Sequence, residues 1–387
     1  MSAGFVDVLL EAVGPGRSWA GVVMRSEFRP AAGEKVFPPS YPVNEREPGA
    51  TPYLFETRWV GDQERDVVVL DQPPSQANRV EQALLEARDE GRIRLPLFEL
   101  VADTSRGPLR LTSLEFPHRY ADAYLRDSEL DGVRFDKTEV GRRLRSASAV
   151  DVRPLYEWSP ESLLFGAWDS HRKGRAAKFP RVYSSSIIGL DPEKGERRSG
   201  RMDPLNLTGT VKDSSKAAED WEFVAAGEKT KGKKLSEAGH GNIAPNPVHG
   251  GVTITKALRS GWLSLSGLAR LRFGDAPAEA ARLARAALAA LAIAGDRLAF
   301  GAPSVWLRSG CDLVRTDETL AFEPADNGKP EKITLSADEA IDAFHELCDR
   351  AAAAGIAMSS ETVTLRPIPG LAKAIEYSTT KAADEGE

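Results

Sequence analysis

The chemistry-bearing side chains of this sequence are densest in SHRKGRAAKFPR, residues 170–181, where Arg172, Lys173, Arg175, Lys178 and Arg181 stand without a single acid among them. Five unopposed cations among small residues are suited to a phosphate chain, because Gly174 and its neighbouring alanines let a sugar-phosphate track approach the main chain. Phe179 adds an aromatic face on which a base can stack. The plainer reading of such a run is a solvated loop. The wider window, residues 142–181, holds nine Lys and Arg against four Asp and Glu, a surplus of +5. The formal charge of the whole chain is −6, so the remainder sums to −11. A basic patch on an acidic chain points to local binding of a polyanion rather than attraction by the whole molecule.

The histidines are His118, His171, His240, His249 and His345. His118 beside Arg119, and His171 beside Arg172, suit phosphate or base contact as donors. A pair of histidines can also cleave RNA without a metal, one ring protonated and the other neutral at the scissile phosphate. His240 and His249 share the glycine-rich EAGHGNIAPNPVHGG, without residues at metal-ligand spacing, so no metal site is expected. His240 and Asn242 there are weaker candidates for contact with a ligand. Gln76, Asn78 and Arg79 complete the candidate set, on a tight polar turn between a strand and a helix. The sequence has no phosphate-binding G-x-x-x-x-G-K-[ST] loop, no G-x-S-x-G elbow and no strand-linked G-x-G-x-x-G, so neither nucleotide hydrolysis of that kind nor a dinucleotide cofactor is expected.

The elements that must hold these residues are partly readable. Val67, Val68, Val69 and Leu70 predict a buried strand stopped by Pro73 and Pro74. Ser75 as N-cap opens a helix to Arg88, with Ala77, Val80, Ala83, Leu84 and Ala87 as its apolar stripe and Gly91 as its stop. Residues 163–168 and 181–190 read as two strands flanking the basic loop. Residues 263–273 alternate apolar with Ser264, Ser266, Arg270 and Arg272, which predicts a half-buried strand with a basic second face. Residues 276–294 predict a strong helix. Short strands are expected at 296–300, 304–308 and 332–335. Ser336 and Glu339 form a capping box for a helix bearing Ile341, Phe344, Leu347 and Cys348, ended by Gly355. Residues 29–52 and 191–250 read as long loops or insertions. Alternating strands and helices with polar insertions predict an α+β fold, a sheet with helices on one side.

With 387 residues, 41% hydrophobic and 28% charged, the chain is long enough for a sizeable core and too apolar for wholesale disorder. Two cysteines make no disulfide framework, the N-terminus is a poor signal peptide, and the longest nearly uncharged apolar stretch, residues 286–295, is about half a membrane span. A cytoplasmic protein without a membrane segment is expected.

Five segments in order carry a resemblance: SQANRVEQALLEA (75–87), HRYADAYLRDSELDG (118–132), LLFGAWDS (163–170), AKFPRVYSSSIIG (177–189) and GHGNIAP (239–245). Together they resemble the backbone subunit of the type I-G (formerly I-U) CRISPR effector complex, of the RAMP superfamily, across most of residues 60–275. That resemblance implies a single domain over 1–387, a modified RNA-recognition-motif palm with a ferredoxin-like sheet. Finger and thumb insertions would fall at 101–160 and 191–250. It implies a non-catalytic subunit without cofactor that stacks with other copies of itself along the spacer of a CRISPR guide RNA. Such a subunit leaves short segments to pair with a target DNA strand, beside large, small and guide-processing subunits. The alternative from the same superfamily is a metal-independent endoribonuclease that processes CRISPR RNA. The chain has no RNP1 aromatic signature, and the loop after Asp169 has Gly174 alone where the family pattern is richer in glycine.

Overall fold

Val67, Val68, Val69 and Leu70 are all buried, as a run with no polar alternation requires of a strand covered on both faces. They sit in the main sheet of this computed structural model, which describes residues 2–43, 50–170, 177–198, 200–207, 211–214, 223–225, 233–243, 247–326 and 328–384. The chain opens with α1 (Ser2–Ala12), β1 (Trp19–Pro30), β2 (Phe55–Val60), β3 (Gln63–Asp71) and α2 (Pro73–Asp89). Next come β4 (Leu97–Thr104), β5 (Gly107–Thr112), α3 (Ala123–Arg126), β6 (Ser128–Leu130) and β7 (Val133–Arg134). Helices α4 (Glu139–Ser146), α5 (Arg153–Trp158) and α6 (Pro160–Phe165) lead into β8 (Ala167–Asp169), β9 (Ala177–Phe179) and β10 (Tyr183–Leu190). The last part holds β11 (Ala257–Ser264), α7 (Leu265–Ala269), α8 (Ala278–Phe300), β12 (Ser304–Arg308) and β13 (Cys311–Pro324). It ends with β14 (Glu331–Lys332), α9 (Ala337–Ala353), β15 (Thr362–Pro367) and α10 (Pro369–Asp384).

The main sheet is antiparallel with the order β12-β13-β1-β11-β10-β3-β2, and β14 adds to β13. In a flat sheet β12 and β3 would lie five strand spacings apart, about 24 Å. Yet Arg308 of β12 donates from Nη1 to the Leu70 carbonyl of β3 at 2.9 Å. From α2, Arg79 reaches the Leu307 carbonyl at 2.8 Å. The sheet is therefore curled into a half-barrel, and these guanidiniums lace its open side. Val22, Met24 and Phe28 of β1 face the hollow. It is filled by α8, whose alanine-rich surface is buried almost all round against α1, α2 and α9. A second sheet, β5-β4-β15-β6-β7, takes its middle strand from near the C-terminus, with β15 parallel to β4. The fold is α+β, consistent with the expected palm.

The capping box is present: Ser336 Oγ accepts from the Glu339 N–H, and Glu339 accepts from the Ser336 N–H. Other local expectations shift. Pro73 and Pro74 do not merely stop β3; they form the first turn of α2, where a missing N–H costs nothing, and Gln72 rather than Ser75 precedes the helix. Residues 160–165 are helix α6, opened by Pro160, and the strand begins only at Ala167. The expected strand at 263–273 ends at Ser264, whose hydroxyl caps α7 by accepting from the Gly267 N–H at 3.0 Å. Leu265 and Leu268 are buried at helical spacing there. Residues 296–300 are the last turn of α8 rather than a strand. At 332–335 only the first residue belongs to a strand.

Candidate nucleic-acid interface

β8 and β9 form a short antiparallel hairpin in which Trp168 stands opposite Lys178 and Ala167 opposite Phe179. Arg172, Lys173 and Arg175 of the basic run, with His171, lie outside the described residues. The foot of the hairpin is described, and there a groove of about 420 Å³ collects His118, Arg119, Trp168, Lys178 and Arg181 from two distant segments of the sequence. Lys178 and Arg181 are exposed. Neither has a carboxylate partner among the described residues, although most arginines described do. The Trp168 ring is 61% exposed.

Backbone geometry explains how the segments meet. Gly166 takes φ +84°, and a Cβ there would lie 3.0 Å from the Arg181 nitrogen and 3.1 Å from the Phe179 carbonyl oxygen. Only glycine both turns left-handed and clears that neighbour. Arg119 also adopts a left-handed φ, +51°. Its guanidinium points inward: Nε and Nη2 donate to Glu81 of α2 at 2.5 and 2.9 Å, and Nη1 donates to the Gly166 carbonyl at 2.9 Å. Burial raises the Glu81 carboxyl, and Arg119 pulls it back. Arg119, expected as a contact residue, is thus a strut that fastens α2 to the start of the hairpin. His118 keeps an exposed side chain at the rim while its N–H donates to Asp122 at 2.9 Å.

Gln76, Asn78 and Arg79, expected on a turn, lie in the first turns of α2, and two of them face inward. Gln76 is fully buried. It donates to Asp71 at 2.6 Å and accepts from Ser185 at 2.7 Å and from Arg259 Nε at 3.2 Å. Arg79 donates to Asp71 at 2.8 Å as well as to the β12 carbonyls. Both residues serve the interior because Asp71, at the end of β3, draws them in. Asn78 alone of the three is exposed. The network continues through Arg259, whose partner is Asp296, and through Tyr183, which accepts from Arg259 and donates to Asp296. Burial and the neighbouring Asp296 raise the Tyr183 hydroxyl, keeping it neutral. His240 and Asn242 do not line the groove. Asn242 accepts from the Asp203 N–H at 2.5 Å and organises its own loop.

Two aromatic residues escaped the sequence reading. The sequence places Trp168 in an apolar strand, and only the hairpin register turns it outward. Trp262 of β11 lies on the sheet face opposite the hollow, beside Ser184 and Val23 in register, with Arg25 one pair further along. Its ring covers Gly21, where a Cβ would sit 2.2 Å from the indole. A strand glycine opposite a tryptophan was the available signal.

Among the described residues no group of three or more His, Cys, Asp or Glu side chains could hold a metal ion, and no helix is long and apolar enough to cross a membrane. Residues 22–194, from β1 through β10 and including the whole groove, match the model of a family described as CRISPR-associated protein GSU0053. No curated protein matches the chain.

Proposed function

From the match of residues 22–194 to a CRISPR-associated family, we propose that the chain is of the RAMP type and is the non-catalytic backbone subunit that coats the guide RNA of a type I-G effector complex. The observation that carries this reading is the groove at the foot of the β8–β9 hairpin, where Lys178 and Arg181 are exposed beside the Trp168 ring. A subunit that must accept any spacer has to hold phosphate and ribose and ignore base edges, leaving sequence to base pairing. Two cations and an aromatic face do that: the cations bind the charge, and the ring stacks on any base. In this reading Arg172, Lys173 and Arg175, outside the described residues, add their charge to the contact, His118 lines it, and the exposed Asn78 remains a candidate contact. Copies of the chain line up along the spacer in the cytoplasm, with target DNA pairing to the exposed guide segments and the large, small and guide-processing subunits at the ends.

The test is binding of two RNAs of unrelated sequence across a salt series. Lys178→Ala with Arg181→Ala weakens both RNAs equally and lowers the slope of log K against log salt by about 1.4, or 0.7 per lost contact. An unchanged slope removes the groove from the interface. Incubation with repeat RNA in EDTA tests the non-catalytic role: site-specific cleavage lost in His118→Ala overturns it in favour of a ribonuclease.

A further inference from the structure

Beyond α7 the surface is hollowed again, by two depressions of about 680 and 510 Å³. Both have Ala269, Ala278 and Arg285 in their walls, so they form one continuous groove. Arg272 lines one end and Arg17 the other, with Arg282 on the rim and Arg285 partly buried in the floor. Among the lining residues four guanidiniums meet one carboxylate, Glu279, which pairs with Arg282 at 2.9 Å; Asp151 and Asp275, beside Gly274, are taken up by Arg153. Arg285 donates to the Leu271 carbonyl at 2.8 Å, which fixes its position without neutralising it. Among the described residues Arg17, Arg272 and the neighbouring exposed Arg270 have no carboxylate partner. In a chain with net charge −6, where most described arginines are paired, such a cluster is a charge left uncompensated.

Its position relates it to the first groove. Arg181, at the edge of that groove, is followed by Val182, whose carbonyl accepts from the Ser264 N–H at 2.8 Å. The Val182 side chain packs under α7, within 2.8 Å of where a Gly267 Cβ would be. The helix therefore starts one residue beyond the edge of the first groove, against Val182, and ends, at Ala269, in the wall of the second. Five residues of helix rise about 8 Å, a short gap for a single strand passing from one groove to the other. The basic residues Arg270 and Arg272 that the sequence shows alternating with apolar ones are the hinge of this path, on the turn after α7 rather than on a strand.

We propose that the groove from Arg272 to Arg17 is a second binding site for the sugar-phosphate backbone of single-stranded nucleic acid, continuing over α7 the track that begins at Lys178 and Arg181. The proposal rests on the RNA-binding reading of the first groove and adds to it a footprint on the C-terminal half of the chain. Phosphates lie against Arg272 and Arg17, Arg285 sets the floor, and no base edge is read.

The experiment uses the full chain and a fluorescein-labelled 30-nucleotide RNA in two unrelated sequences, titrated at several KCl concentrations. Arg17→Ala with Arg272→Ala is expected to weaken binding on the order of ten-fold at low salt and to lower the salt slope by about 1.4, equally for both RNAs. Arg17→Lys with Arg272→Lys restores the slope, because counterion release follows charge; this variant also separates loss of contact from loss of fold. If Lys178→Ala with Arg181→Ala flattens the slope while Arg17→Ala with Arg272→Ala does not, the second site is refuted and the first stands. If neither pair matters, both fail. If the Arg17 and Arg272 variant keeps its RNA affinity and instead loses an acidic protein that co-purifies with the wild-type chain, the groove is a protein interface and the proposal is overturned.

Discussion

The Lys178 ammonium sits 5.8 Å from the centre of the Trp168 ring, its direct partner across the β8–β9 hairpin. The cation and the ring's π face hold one another in place at the mouth of the groove, at a modest energy in an exposed site. Charge and stacking are separable here by experiment. Trp168→Ala is expected to weaken single-stranded RNA binding by about 1–3 kcal/mol while leaving the salt slope unchanged, since lost stacking releases no counterions. Fluorescence titration at three salt concentrations measures both. A slope change as large as that of Lys178→Ala would mean that the ring acts only by placing the ammonium.

Behind the groove, the carboxyl of Glu161 is buried in α6 and accepts from the Ser159 hydroxyl. Burial pushes it from an ordinary 4.5 up to about 7; the Ser159 bond works against that rise, and the nearby Glu81 adds to it. A carboxyl raised in the folded state binds its proton more tightly there than in the unfolded chain. Its contribution is complete below about 4.5 and is lost as pH rises through about 7. The loss amounts to roughly 3 kcal/mol if nothing else titrates. Glu161→Gln is expected to stabilise the protein at pH 8 and to flatten its stability between pH 5 and 8, read from urea unfolding at each pH. A variant no more stable than wild type at pH 8 would show that Glu161 is already neutralised by its surroundings.

Local signals in the sequence were reliable where neighbours along the chain decide the outcome. Ser336 and Glu339 cap α9 because both groups of the box lie within one turn, and Gly355 follows in a left-handed conformation. Signals failed where partners come from elsewhere. Leu263, Leu265 and Leu271 fit a strand period only because a strand, a short helix and a turn follow one another there. Strand β13 gives no such signal, since Arg315, Asp317 and Glu318 interrupt its apolar pattern; Arg315 and Glu318 bond to the end of α8 and to each other. The same limit governs the site. Lys178 and Arg181 were recognisable as cations lacking nearby acids, but Arg119 and Arg79 looked equally available. Glu81 and Asp71, which claim them, stand 38 and 8 residues away.

Inside the half-barrel, Arg259 and Asp296 form an ion pair with side chains 1% and 2% exposed. Burial opposes the charge on Arg259, and Asp296 and Tyr183 more than offset it, so the guanidinium is held firmly protonated. Its carbon lies 3.7 Å from the centre of the Phe300 ring. Removing one partner strands the other charge without water. Arg259→Met and Asp296→Leu should each cost about 3–5 kcal/mol. The double substitution should cost well under the sum, because no lone charge remains. Urea unfolding of the four proteins of this cycle gives the coupling. Additive losses would mean that water reaches the pair.

On the far side of β11, the contact of Trp262 with Gly21 makes a sharper steric test. Gly21 has no left-handed backbone to protect, so only space requires glycine there. A methyl group placed 2.2 Å from the indole must push the ring aside or spread the strands. Gly21→Ala is therefore expected to destabilise by about 1–3 kcal/mol, in the range of overpacked sites, and to shift tryptophan emission to the red as the ring lifts into water. Adding Trp262→Ala should abolish the penalty, since the alanine methyl then meets no ring. The same ring packs over Gly21, in a residue that is 37% exposed, and offers a second stacking surface on the sheet face opposite the hollow. Trp262→Ala alone tests it: a fall in RNA affinity with stability unchanged puts the sheet face on the nucleic-acid path, and unchanged affinity leaves Trp262 as a cover for the sheet.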